Sequence, residues 1–113
     1  MDKDIMIGRM TRAMIVESPV VSADDGGGAE VIWQAVAENS VIAVQNLQVK
    51  AAEKLRFSQV SRRVTHKIAA RNHPALVTGN RLVDAEGTAY RITETEQADR
   101  QGAYAVCYLE RMV

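Results

Sequence analysis

The side chains that could carry covalent, acid–base or metal chemistry in this chain are few and scattered. Cys107 is the single cysteine, which excludes an intrachain disulfide and any multi-cysteine metal site. Its setting, AYAVCYLE, reads as a small apolar residue within a strand rather than a reactive thiol. His66 falls on the same strand face as Val64 and Ile68, with no Asp, Glu or Ser spaced to form a triad. A hydrogen-bonded, partly buried histidine is therefore expected there. His73 precedes Pro74 in a turn and is expected to be exposed. Two separated histidines and one cysteine do not make a zinc site. The glycine-rich run SADDGGG (22–28) could cradle a phosphate only with its glycines spaced between a strand and a helix N-terminus and a lysine nearby. Here Asp24 and Asp25 repel phosphate and no helix follows, while the further oxygen ligands of a calcium loop are missing. The expectation is a protein that is not an enzyme, with no cofactor and no metal.

The elements that hold these residues read mainly as β-structure. Residues 1–8 are expected to form a flexible N-terminal arm, and Arg9–Val16 a first strand. A mobile loop is expected over 19–28, because Gly26, Gly27 and Gly28 lose the most backbone freedom on ordering. Ala29–Val36 is the next strand, with Trp33 expected as a core anchor. The apolar run 41–49 continues the extended pattern. A short helix at about 49–59 follows from KAAEKLRF, with Leu47, Ala51 and Leu55 on one face. In SRRVTHKIAARNHP (61–74), Val64, His66, Ile68 and Ala70 alternate with Arg63, Thr65, Lys67, Ala69 and Arg71, which predicts a strand with one semi-apolar and one basic face. Short strands at 80–85, 88–94 and 103–111 are separated by Glu86–Gly87 and QADRQG turns. The fold expected is a single small antiparallel β-barrel or sandwich over 9–113 with one inserted helix. Trp33, Val64, Ile68, Tyr90, Ile92 and Val106 are its expected core.

Composition narrows the function classes. At 113 residues the chain makes one modest core, and with only 4% aromatic residues that core must be mostly aliphatic. Modest stability as an isolated monomer is expected. A net charge of zero argues against a free nucleic-acid binder that relies on bulk charge, and it favours self-association. The N-terminus MDKDIMIGRM does not read as a secretory signal, and no run approaches the ~20 apolar residues of a membrane span. A soluble protein made in the cytoplasm, with no membrane partner, is expected. The charge is nevertheless segregated. Residues 50–71 hold Lys50, Lys54, Arg56, Arg62, Arg63, Lys67 and Arg71 against Glu53, whereas 84–99 hold Asp84, Glu86, Glu94, Glu96 and Asp99 against Arg91.

The order of these features resembles a known family. A strand ending MIVESPV leads to a glycine-rich hairpin tip, followed by the Trp33 strand, the VIAV strand, a helix, the THKIAAR strand and the pair RLVDAEGTAYRIT…AYAVCYLER. Trp33, Thr65-His66-Lys67-Ile68 with Arg71, and Tyr90-Arg91-Ile92 are its most specific pieces. The chain is similar over roughly 8–111 to the head–tail joining, or head-closure ("stopper"), proteins of siphophages and of gene transfer agents. It departs from them in the triple-glycine tip and at Asn39-Ser40, where many relatives run through with apolar residues.

The resemblance implies a structural subunit of the virion neck, made in the bacterial host cytoplasm. It would assemble as a homo-oligomeric ring, a hexamer or alternatively a dodecamer. Its neighbours would be a portal-bound adaptor on the head side and the tail terminator or tail tube on the other, and it would help to retain packaged DNA. In such a ring every interface is heterologous, so unlike patches must match. Arg56, Arg62, Arg63, Lys67 and Arg71 are candidates for one edge, or for non-specific contact with double-stranded DNA in the channel. Asp84, Glu86, Glu94 and Glu96 are the candidate complement. Asp24, Asp25, Gly26, Gly27 and Gly28 form a candidate docking loop. Against these uses stands the plain one, solvated charge worth ~0–1 kcal/mol per pair. A tail terminator of the same neck is the nearest rival role. A small oligonucleotide-binding barrel using Arg63, Lys67 and Arg71 is the rival from another class, but no aromatic platform interleaves with that strand.

Overall fold

The structure, a computed structural model, describes residues 5–113; the beginning of the expected N-terminal arm, 1–4, lies outside the described residues. Seven strands and one helix follow a 3-10 turn at Ile7–Arg9: β1 (Arg12–Ala23), β2 (Ala29–Ala35), β3 (Val41–Leu47), α1 (Ala51–Ser58), β4 (His66–Arg71), β5 (Arg81–Val83), β6 (Ala89–Gln97) and β7 (Tyr104–Arg111). All pairings are antiparallel, in the order β2-β1-β3-β4-β7-β6-β5. β5 also pairs with β1, which closes six of the strands into a barrel.

β1 is long enough to serve two structures. Arg12–Ile15 pairs with β3, Ile15–Glu17 with β5, and Glu17–Ala23 with β2. The Val16 N–H donates to the Ser40 carbonyl (2.7 Å), and the Val16 carbonyl accepts from the Val36 N–H (3.1 Å). β2 and β3 therefore share one edge of β1, and past Glu17 the opposite edge carries no strand. β1 and β2 leave the barrel as a two-stranded ribbon. The loop expected over 19–28 is correspondingly shorter, because strand continues through Pro19 to Ala23. Pro19 is tolerated because its pairing with Trp33 is a non-hydrogen-bonded one, so the missing N–H lies on the open edge.

The barrel interior is aliphatic and continuous: Met14, Val16, Val44, Ile68, Ala70, Leu76, Leu82, Ile92, Ala105, Cys107 and Leu109. A second cluster lies outside the barrel wall, where α1 and the N-terminal segment cover β4 and β7. It contains Ile5, Phe57, Val64, Ala69, Val106 and Tyr108. The described part of the expected arm is thus tied down, with the Met6 N–H also donating to Gln45 Oε1 (2.8 Å). Phe57, not Leu55, anchors the helix. Leu55 is 61% exposed, and the Phe57 ring lies 4.9 Å from that of Tyr108.

Two local features change the expected strand faces. Ser61 takes a left-handed conformation (φ 57°) and the Arg62 N–H returns to the Phe57 carbonyl (2.9 Å), closing α1. Residues 61–65 are therefore connection rather than strand, and Arg63 is not on β4. In β6, a bulge sets Ile92 opposite Leu109 but Glu94 opposite Tyr108. The extra residue, Thr93, switches the faces, so Ile92 points inward while Glu94 and Glu96 point outward beside α1. Unbroken alternation would put Ile92 and Glu94 on one face, and that single insertion separates them.

Candidate interaction surfaces

The face of β4 expected to display basic residues is instead the floor beneath α1. Lys67 is only 5% exposed, and its Nζ donates to both oxygens of Glu53 (3.1 and 3.3 Å). The Tyr108 hydroxyl donates to Glu53 Oε2 at 2.6 Å, and the Lys50 N–H donates to Oε1 at 3.0 Å. Burial pushes the Glu53 carboxyl up, but the Tyr108 hydroxyl, the Lys50 amide and Lys67 outweigh it and bring the pKa down to about 2. Burial and the same hydrogen bond raise the Tyr108 phenol. Lys67 is therefore committed to holding the helix, which corrects its expected place on an open basic edge. An ionised pair of this kind is stable under a helix because every charged atom retains a partner.

Arg56 is committed as well. Its Nη2 meets Glu96 Oε1 at 3.1 Å and Glu94 Oε2 at 3.5 Å, and the guanidinium lies 4.5 Å from the Phe57 ring centre. The supposed basic edge and its acidic complement meet here within one chain, brought together by the β6 bulge. Asp84 is likewise no surface acid. It is 8% exposed and accepts from the Glu86 and Thr88 amides (3.0 and 2.9 Å), the Tyr90 hydroxyl (3.4 Å) and Arg12 (3.5 Å). Burial opposes its ionisation, and these donors override that and lower its pKa. Asp84 organises the β5–β6 turn, while Glu86 stays exposed at the turn itself.

Three of the predicted cations keep no carboxylate partner among the described residues: Arg62, Arg63 and Arg71. Arg62 and Arg63 line a groove of about 300 Å³ with Thr78, Gly79, Arg91 and Thr93. Arg71, at the end of β4, lines a separate groove of about 270 Å³ with Ile7, Met10, Val41 and His73. The five cations expected on one edge thus divide into two that are paired with carboxylates of the same chain and three without such a partner, in two places.

Trp33 is not in the core. It is half-buried on the ribbon, where β2 pairs with no strand but β1, and the guanidinium of Arg81 from β5 covers its ring at 4.6 Å. Arg81 is held by Glu17 at 2.7 Å. Apart from Tyr90, which is half-buried beside the barrel core, the other expected core residues, Val64, Ile68, Ile92 and Val106, are buried. His66 is exposed rather than partly buried, with its ring centre 4.8 Å from that of Tyr90 in an edge-to-face arrangement and Nδ1 2.9 Å from the Thr65 hydroxyl. Desolvation and then Arg111 and Arg12 lower its pKa. Burial pushes the Cys107 thiol up to about 12. Among the described residues no group of three or more His, Cys, Asp or Glu could hold a metal ion, and no helix is long and apolar enough to cross a membrane.

At the ribbon tip, Asp24 Oδ1 accepts from the Gly26 and Gly28 amides (2.9 and 2.7 Å), and Gly27 is left-handed at φ 83°. A β-carbon at Gly28 would lie 2.8 Å from Asp24 Oδ2, so the glycine permits the aspartate to close the turn. The strands behind this tip carry Val20, Val21, Val31 and Ile32, all exposed. Apolar side chains on both faces of an uncovered ribbon were not anticipated from the sequence, because alternation cannot reveal that no second layer exists.

The chain and its fold have known counterparts. The family model described as phage head completion protein matches residues 5–111. The chain belongs to the phage head completion protein family. That family is one of structural phage proteins. Among solved structures, a chain from the virion of a native gene transfer agent particle is 23% identical with a TM-score of 0.58; the match covers 91% of this chain and 96% of that one. The solution structure of protein SF1141 from Shigella flexneri 2a is 14% identical with a TM-score of 0.69, covering 95% and 96%. At these identities the two structures support the fold of this chain alone. Comparison with curated proteins returned no match.

Proposed function

We propose that this head completion protein is a ring-forming neck subunit that closes the head and joins it to the tail. In this reading copies form a hexameric ring, with twelve-fold symmetry as the alternative. The ring sits between a portal-bound adaptor and the tail terminator or tail tube, in a phage or gene-transfer-agent particle, and helps to retain packaged DNA. It performs no catalysis. The carrying observation is the family match over nearly the whole chain. The geometry supports it: the barrel is closed and filled, and what projects is an apolar ribbon ending at Asp24, Asp25 and Gly26–Gly28, the docking element of this reading. Arg62, Arg63 and Arg71, which form no ion pair among the described residues, are in this reading the residues that meet a neighbour or DNA phosphate.

Particles assembled without the protein, viewed by electron microscopy, are expected to be heads without tails, many of them empty. Normal tailed, DNA-filled particles would overturn the reading. Filled heads attached to tails of uncontrolled length would point to the tail-terminator role instead. Deleting Gly26–Gly28 is expected to reproduce the tailless phenotype while leaving the barrel folded.

A further inference from the structure

Two features of the surface have no use within one chain, and they are chemically matched. The first is the ribbon. Residues 18–35 contain Asp24, Asp25 and Glu30 but no lysine or arginine. Val21 and Val31 are 69% and 55% exposed on one face, with Val20 and Ile32 on the other. A lone two-stranded ribbon is marginal in water, and both of its outer edges are unpaired. Its faces and edges are thus built to be covered.

The second is the groove between the α1–β4 connection and β6. Three guanidinium groups, Arg62, Arg63 and Arg91, surround it, with Glu110 as the sole acidic lining residue. None of the three arginines forms an ion pair among the described residues. The lining residues Ser61 and Thr78 are preceded by Val60 and Val77, which are 63% and 47% exposed. A cationic cleft with exposed valines next in sequence to its lining complements an apolar ribbon with an acidic tip. Within one chain the ribbon meets β5 only near its base, where Glu17 and Trp33 hold Arg81, and Asp24, Asp25 and Glu30 form no ion pair among the described residues.

We infer that the ribbon of one copy docks on a second copy of this chain, its Asp25 and Glu30 end seated at the Arg62–Arg63–Arg91 groove and its valines against Val60 and Val77. The two surfaces differ, so the contact is heterologous and propagates from copy to copy. Opposite charge fixes the direction of docking, and the apolar contact supplies the area. DNA is a poor occupant for the ribbon, because its tip is anionic. The inference deepens the ring reading and rests on it for closure of the chain of contacts.

The test is a cysteine pair in the full chain, Asp25→Cys with Arg63→Cys, cross-linked in assembled particles with a short bismaleimide. Cys107 is buried and stays silent. A ladder of covalent multimers in a denaturing gel is expected. Pairing Asp25→Cys with Glu86→Cys should give no ladder, and adding Glu30→Lys to the first pair should lower its yield on the order of tenfold. Absence of a ladder, or cross-linking of Asp25→Cys to a different particle protein, overturns the inference. Those outcomes in particles that still carry tails and a visible ring leave the ring reading standing. Tailed, filled particles formed without the protein would remove that reading instead.

Discussion

Valines in the barrel and in the β1–β2 ribbon have opposite fates. Val16 and Val44 are fully buried, while Val21 and Val31 are more than half exposed, although all four occupy regular antiparallel strands. Barrel strands have neighbours on both edges and an enclosed interior. The ribbon strands have only each other. β-branched residues therefore specify an extended chain in both places, but burial depends on whether a second layer is available. In the barrel the apolar side chains are spent on stability; in the ribbon they remain available to a partner. The 52 × 34 × 27 Å extents, large along one axis for 113 residues, reflect that division.

The sharpest test of this contrast lies in the barrel. Ile92→Ala removes a fully buried side chain and is expected to cost about 4 kcal/mol, read as a shift in urea midpoint without loss of the strand signal. A destabilisation under about 1 kcal/mol would mean that the interior is not close-packed.

The next effect is in the seam under α1. Lys67→Ala leaves Glu53 without its cation and is expected to cost about 2 kcal/mol, at the low side for a buried pair because Glu53 remains partly accessible. Replacing both residues by apolar ones, Lys67→Met with Glu53→Leu, should recover most of that loss in the same denaturation assay. Equal losses in the single and double variants would show that the pair does not act as a unit.

The same seam sets a pH dependence. Glu53 has a folded pKa of about 2 against an ordinary 4.5, so its contribution is fully present above 4.5 and is lost as pH falls toward 2. Thermal melts are expected to fall across that window, and to fall less in Glu53→Gln. An identical acid profile for the variant would assign the sensitivity to other carboxylates. The smallest effect belongs to the ribbon. Val21→Ser with Val31→Ser should change stability by no more than about 0.5 kcal/mol while reducing assembly into tailed particles. Substantial unfolding of that variant would show that the ribbon is part of the core after all.

Much of the architecture was legible because it is local. Period-two alternation in β7 separates Ala105, Cys107 and Leu109, inside the barrel, from Val106 and Tyr108, outside it. Lys- and Glu-rich helix formers mark α1, and Gly and Asp residues mark the turns. The candidate surfaces were less legible. Charge segregation along the chain suggested two complementary edges, yet Arg56 and Lys67 are neutralised inside one subunit by Glu94, Glu96 and Glu53. Residues 14 to 40 positions apart meet only after closure of the sheet, so linear charge runs overcounted the free cations.

The amino-acid sequence by itself determined a small, mostly aliphatic β-domain with one helix, and carried the order of features shared with head completion proteins. Tertiary structure decided which face each residue presents. One extra residue at Thr93 turned Glu94 and Glu96 toward α1, a left-handed Ser61 took Arg63 off β4, and closure of β5 onto β1 excluded β2 and left Trp33 at the surface. Each is a long-range or single-residue geometric event that shifts register or layer without altering composition or hydrophobic period. They leave Arg62, Arg63 and Arg71 outside, Lys67 inside, and the apolar ribbon uncovered.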